Sequence, residues 1–249
     1  MSVFHFKRFD VVNESSAMKV NTDGVLLGAL MTIMPTDQRL LDIGTGTGTI
    51  ALMAAQRLTD MVSSPSSQAD SPDFQIDAID IDEPSASEAA ANFAHSPWSY
   101  SLTAHHVSLD SFADSAQVYD LIFSNPPYFE DSLTAPDQRK STARHTSDGL
   151  SYRDIFEFAS SRLSESGRVA LVLPAEQETA LCRYGRMCGL HLNKITHIRT
   201  VPRKTPSRIV AEFSRHRTEI PADIVLTIQN EGQYTQEYLS LMKEFYLFA

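Results

Sequence analysis

From Arg39 onward, short apolar runs alternate with stretches whose apolar residues recur at helical spacing. Arg39–Ile43, Gln75–Ile81, Leu102–Leu109, Tyr119–Ser124 and Arg168–Leu173 read as buried strands. Between them, Thr49–Leu58, Glu83–Phe93 and Tyr152–Leu163 read as helices, with a turn at Ser164–Gly167. Past Pro174 come a helix over Ala175–Cys188, strands over Leu192–Thr200 and Ile209–Arg215, an extra strand-like run at Ala222–Gln229 and a closing helix over Thr235–Leu247. This alternation predicts an α/β fold with a mostly parallel sheet covered on both faces. Residues 1–38 form an N-terminal extension expected to pack on one domain spanning 39–249, with a flexible Ser- and Pro-rich insertion at about 60–73.

Composition narrows the class. The chain has 249 residues, 42% hydrophobic and 21% charged, which suits a globular domain. No run approaches the roughly 20 apolar residues of a membrane helix, and Met1–Asp10 lacks the pattern of a secretory signal. With Cys182 and Cys188 its two cysteines, no disulfide or zinc framework is expected, and the chain reads as a reduced, cytoplasmic protein without metal or membrane partner. The formal charge is −10, yet Arg183–Arg217 holds nine basic side chains against one carboxylate, a net +8. A local basic surface on an acidic chain, or simply a solvated face, would account for this.

Chemistry gathers at the predicted strand ends. Asp42-Ile43-Gly44-Thr45-Gly46-Thr47-Gly48 leads from the first core strand into its helix. Glycines there permit a tight turn and close approach of a ligand to the backbone. The spacing departs from the dinucleotide pattern, and an acid in front suits a ligand carrying an ammonium group better than a pyrophosphate. Asp80, at the end of the second strand, could accept from two ribose hydroxyls. Asp82, just before Glu83-Pro84, suits a helix N-cap. Asp110 is read as ending the third strand, where it could accept an adenine amino proton. This order of acids and glycines resembles a class I S-adenosylmethionine methyltransferase. That resemblance implies a Rossmann-like, doubly wound, seven-stranded sheet, with Asp42, Gly44, Gly46 and Gly48 along the methionine moiety, Asp80 at the ribose and Asp110 at the adenine.

Asn125-Pro126-Pro127-Tyr128 follows the fourth strand and is the most specific signal in the chain. An exocyclic amine is a poor nucleophile because its lone pair is delocalised. The Asn125 side-chain oxygen and the Pro126 carbonyl can accept both amino protons and favour the pyramidal nitrogen that attacks a methyl group. Two prolines hold this backbone extended, and Tyr128 offers a face on which an extruded base can stack. Alone, the motif names an amine or amide nucleophile and leaves the substrate open: an adenine, another RNA or DNA base, or a protein glutamine.

Phe4-His5-Phe6-Lys7-Arg8-Phe9, Met18 through Ala29, Asn125–Tyr128, Arg139, Ala143-Arg144-His145, Leu150-Ser151-Tyr152, Val201-Pro202 through Arg208-Ile209, and Glu237-Tyr238 to Leu247 together resemble the bacterial tRNA1(Val) adenine N6-methyltransferase family. The resemblance extends over nearly the whole chain. It implies a monomeric enzyme methylating adenosine 37 of one valine tRNA with S-adenosylmethionine, with Thr22 and Asp23 bordering the cofactor beside Asn125. Read from the residues alone, Asp23 is equally an N-cap for the run Gly24–Met31. Arg139, Arg144 and His145 near the reacting loop, and Arg203, Lys204 and Arg208 further on, are assigned to the RNA backbone.

Overall fold

The chain opens with an antiparallel hairpin of β1 (Val3–His5) and β2 (Asp10–Val12), which the hydrophobic pattern does not announce. This computed structural model describes residues 2–16, 18–62, 73–114, 117–128 and 149–249. Helix α1 (Thr22–Leu30) is capped by Asn21, whose side-chain oxygen accepts from the Gly24 amide. Asp23 is therefore inside the first turn and is not the N-cap.

The core follows as β3 (Arg39–Ile43), α2 (Thr49–Val62), β4 (Gln75–Asp80), α3 (Glu83–Ala94), β5 (Leu102–His106), α4 (Leu109–Ala113) and β6 (Tyr119–Ser124). It continues through α5 (Tyr152–Arg162), β7 (Leu163–Pro174), α6 (Glu178–Met187), β8 (His191–Arg199), β9 (Arg208–Ser214) and β10 (Ala222–Thr227). A small hairpin of β11 (Gln229–Asn230) and β12 (Gln233–Tyr234) precedes α7 (Gln236–Met242).

Three expectations need correction. Helix α2 runs on to Val62, so the start of the Asp60–Asp73 segment is helical, while 63–72 lie outside the described residues. The expected turn at Ser164–Gly167 is an irregularity within β7, where the register against β6 shifts between Tyr119 and Leu121. The third core strand stops at His106, because Ser108 caps α4 by accepting from the Ser111 amide. Asp110 is thus an exposed residue of a helix's first turn rather than a strand end.

Eight strands form the central sheet in the order β10-β8-β9-β7-β6-β3-β4-β5. The eighth is the Ala222–Thr227 run, added parallel to β8, and β9 alone runs against its neighbours. Alternation puts Leu40, Leu121, Phe123 and Val172 on one face, under α1, α2, α3 and α7. Leu41, Ile122, Val169 and Leu171 face the other side, under α5 and α6. Strand order reverses between β3 and β6, since β4 and β5 extend one way and β6 and β7 the other. The carboxyl ends of β3 and β6 therefore flank the switch point, where ligands bind in sheets of this type.

Buried polar contacts seat the N-terminal segment. Glu88 of α3 accepts from the backbone amides of Glu14, Ser15 and Ser16, and Asn92 bonds both backbone groups of Val12 and the Thr47 carbonyl. Past α1, the Thr32 amide donates to Glu212, itself paired with Lys194, while Arg168 grips Asp37 and the Thr32 carbonyl. Glu88→Ala removes the partner of three amides, of which that of Ser16 is buried, and should cost on the order of 2 kcal/mol. Chemical denaturation measures that loss, and limited proteolysis should cut first at residues 13–20.

Candidate active site

The β3–α2 turn is built on glycine. Gly44, Gly46 and Gly48 have φ of 70, 56 and 79°, a region open to glycine and strained for other residues. The Gly44 and Thr45 amides donate to the Ile79 carbonyl, fastening the turn to the end of β4. The requirement for glycine differs between positions. A Cβ at Gly46 would come within 3.3 Å of the Met18 carbonyl across the cleft, whereas one at Gly48 would strike the Phe93 ring at 2.5 Å. Gly48 thus owes its identity to packing under α3 as well as to its backbone angle.

Two carboxylates support this turn. Asp80 accepts from the Gly46 amide on one oxygen and from the Asp82 amide on the other, both at 2.9 Å. Asp82 caps α3 through the Ser85 amide, so its carboxylate serves the helix. Asp42 is fully buried: one oxygen accepts from the Thr45 hydroxyl at 2.8 Å and the other has no partner. Burial pushes the Asp42 carboxyl up to about 7, and nearby Asp80 adds to the rise. Burial likewise raises Asp80. Two such acids at adjacent strand ends, one with an orphaned acceptor, call for a cationic or multiply donating ligand.

The reacting loop lies beside them. The buried Ser124 hydroxyl donates to the Ile43 carbonyl at 2.6 Å, joining the ends of β6 and β3. Asn125 is 6% exposed, and its amide nitrogen faces Met18 Sδ at 3.4 Å and Asn21 Oδ1 at 3.5 Å. The Tyr128 hydroxyl lies 2.9 Å from Asn125 Oδ1 and 3.0 Å from Asp23 Oδ2. Arg208 Nε donates to that same Asp23 oxygen at 2.8 Å, and its guanidinium stands 5.0 Å from the Tyr128 ring centre. Burial, reinforced by Asp23, pushes the Tyr128 hydroxyl well above its ordinary value.

A cleft lined by Met18–Asn21, Gly24, Gly44–Thr47, Thr49, Ile50 and Asn125 joins the glycine turn to Asn125, with Asp42 and Asp80 behind its lining. Asn21, given no cofactor role in the sequence reading, lines it and caps α1; an Asn three residues before a helical glycine was the available signal. Thr22 is exposed and Asp23 turns toward Tyr128. Arg203 and Lys204 are exposed on the β8–β9 turn, at the sheet end that carries Asn125, because Arg208 pairs with Pro174 at the finish of β7. Arg208 is partly exposed and engaged with Asp23 through Nε. Arg139, Arg144 and His145 lie outside the described residues. Among the described residues, no group of three or more His, Cys, Asp or Glu could hold a metal, and no helix is long and apolar enough to cross a membrane.

Asp42 sets a pH dependence. Between pH about 4 and 7 the folded chain keeps a proton on Asp42 that the unfolded chain has released, so stability falls as pH rises through this window. Asp42→Asn can keep the Thr45 bond without titrating. Its melting temperature should match wild type near pH 4 and exceed it by several degrees at pH 8, as scanning calorimetry would show.

Residues 16–182 match the family described as "Methyltransferase small domain". The chain is 40% identical to a protein of Parabacteroides distasonis named tRNA1(Val) (adenine(37)-N6)-methyltransferase, over 98% of this chain and 97% of that relative. A protein of the same name from Pseudoalteromonas translucida is 38% identical over 99% of each. Among solved structures, a "predicted O-methyltransferase" from Agrobacterium tumefaciens has a TM-score of 0.61 at 17% identity, covering 90% of this chain and 96% of that one, a likeness of fold alone.

Proposed function

The chain belongs to the tRNA1(Val) (adenine(37)-N6)-methyltransferase family, and on that ground we propose that it methylates the N6 amine of adenosine 37 in tRNA1(Val), using S-adenosylmethionine. The observation that carries the reading to the chemistry is the placement of Asn125 in one cleft with the glycine turn, at the switch point of the sheet.

The residues present fit the cofactor. Asp42 has an acceptor awaiting a donor and Asp80 has lone pairs beyond its two backbone bonds, matching an ammonium group and a ribose diol. Gly44 and Gly46 would lie along the methionine part, with Asn21 at the cleft rim; Asp110, across from β4 on α4, is left for the adenine. When bound, S-adenosylmethionine supplies an electrophilic methyl on a sulfonium. Asn125 Oδ1 and the Pro126 carbonyl accept the two protons of the entering amine, turning its lone pair toward that methyl. The Tyr128 ring would stack the extruded adenine. No side chain need act as a strong base, since the methylated nitrogen can lose its proton to water. Rate enhancement comes from positioning and fixed dipoles.

Arg203 and Lys204 would bind tRNA phosphates beside the cleft, where charge positions the substrate without selecting it. Arg139, Arg144 and His145 are proposed for the same role on sequence grounds.

Incubating the protein with labelled S-adenosylmethionine and unmodified tRNA should place N6-methyladenine in tRNA1(Val). Asn125→Ala should lose at least 100-fold in kcat while its cofactor affinity changes less than about fivefold. Label confined to protein would refute the tRNA assignment. Replacing Arg203 and Lys204 together by Ala should weaken tRNA binding and lower the slope of log affinity against log salt by about 1.5 to 2. An unchanged slope would remove these two residues from the interface.

A further inference from the structure

Tyr128 has one hydroxyl proton and two acceptors within reach, Asp23 Oδ2 at 3.0 Å and Asn125 Oδ1 at 2.9 Å. If that proton rests on Asn125, it occupies the oxygen that the substrate amine requires. A carboxylate is the stronger acceptor of the two. Arg208 is paired with Asp23, its Nε donating to the same Oδ2 at 2.8 Å.

Arg208 is itself fixed on three sides. It bonds Asp23, donates through Nη1 to the Ser207 carbonyl and lays its guanidinium against the Tyr128 ring. One face of that ring is therefore backed by a cation. The cluster touches the cofactor cleft through Asn125, which the Tyr128 hydroxyl reaches at 2.9 Å. Asn21 and Gly24, three residues apart, line the cleft, whereas Asp23 is outside its lining and meets the Tyr128 hydroxyl.

We propose that Asp23 and Arg208 are positioning residues for the reacting loop: Asp23 draws the Tyr128 proton away from Asn125, and Arg208 holds Asp23 and backs the stacking ring. This gives Asp23 and Arg208 a role distinct from the cofactor and phosphate contacts that the resemblance implies for them. It rests on the assignment of Asn125 and Tyr128 to the reaction. The pair also couples three elements, since Asp23 is on α1, Tyr128 follows β6, and Arg208 ends the turn that carries Arg203 and Lys204.

The test pairs Asp23→Asn with Tyr128→Phe, which keeps the ring and removes the proton in dispute. Asp23→Asn alone should lower kcat at saturating cofactor at least tenfold, with the dissociation constant for S-adenosylmethionine within twofold of wild type. In the Tyr128→Phe background the same substitution should cost little, so that the double variant is more active than Asp23→Asn by itself. Arg208→Gln should lower kcat and leave the salt slope of tRNA binding unchanged. Multiplying defects in the double variant, a cofactor constant that rises as kcat falls, or a slope reduced by about one in Arg208→Gln would each overturn the proposal.

A second readout needs no substrate. With 3-fluorotyrosine incorporated, the fluorine resonance assigned to Tyr128 by its loss in Tyr128→Phe should move in both Asp23→Asn and Arg208→Gln, with melting temperatures confirming a folded chain. A resonance that stays in place would overturn the positioning role. Wild-type protein that labels no tRNA but shows these shifts would count against the substrate assignment alone.

Discussion

Much of the site follows from β3 and β6 being neighbours in the sheet although more than 70 residues separate them in the chain. Two excursions make this possible: β4 and β5 are laid down on one side of β3 before the chain returns to the other. The right-handed helical crossovers cover both faces, so the strand ends at the reversal are the place where backbone is left to face outward. The Ser124 hydroxyl, buried against the Ile43 carbonyl, fixes the spacing there. A shift of one residue in that ladder would turn Asn125 away from the glycine turn.

Building polar chemistry at such a point is costly, and the structure shows where. Asp42 is enclosed without a full set of donors, and Asp80 is held by backbone amides in a poorly solvated corner. In a ligand-free chain these acids oppose folding, and a bound cation or diol offsets them. The large apolar sheet supplies the compensating stability: Leu40, Leu41, Leu121, Ile122 and Phe123 have essentially no exposed surface. Asp42 is thus a place where burial of a carboxyl opposes the stability that the apolar sheet supplies.

Legibility in the sequence tracked the range of the interactions involved. Strands buried on both faces and helices with local caps could be read directly, and Asp82 at the start of α3 is such a case. The glycine turn and Asn125–Tyr128 were legible because their chemistry is contiguous. The helical start of α4 was missed because an apolar run, Leu102–Leu109, conceals a Ser108 cap. The β1–β2 hairpin was missed because its strands are three residues long and are tied down by Asn92, far away in the chain. Asp23 and Arg208 could be singled out individually, but nothing in a sequence says that residues 185 apart share a carboxylate oxygen.

The same limit governs how the basic stretch is read. A net +8 over Arg183–Arg217 suggests one continuous anionic-ligand surface. In the fold, Lys194 is paired with Glu212, Arg208 with Asp23, Arg199 bonds the Thr227 hydroxyl and Arg215 the Leu163 carbonyl. Four of the nine cations are thereby engaged in holding strands and loops. What the turn at Arg203 and Lys204 adds is placement: two exposed charges at the sheet end where Asn125 lies, on a chain whose overall charge repels nucleic acid. Such an arrangement attracts a polyanion only where it is useful, because at physiological ionic strength the repulsion from carboxylates farther than about 8 Å is largely screened.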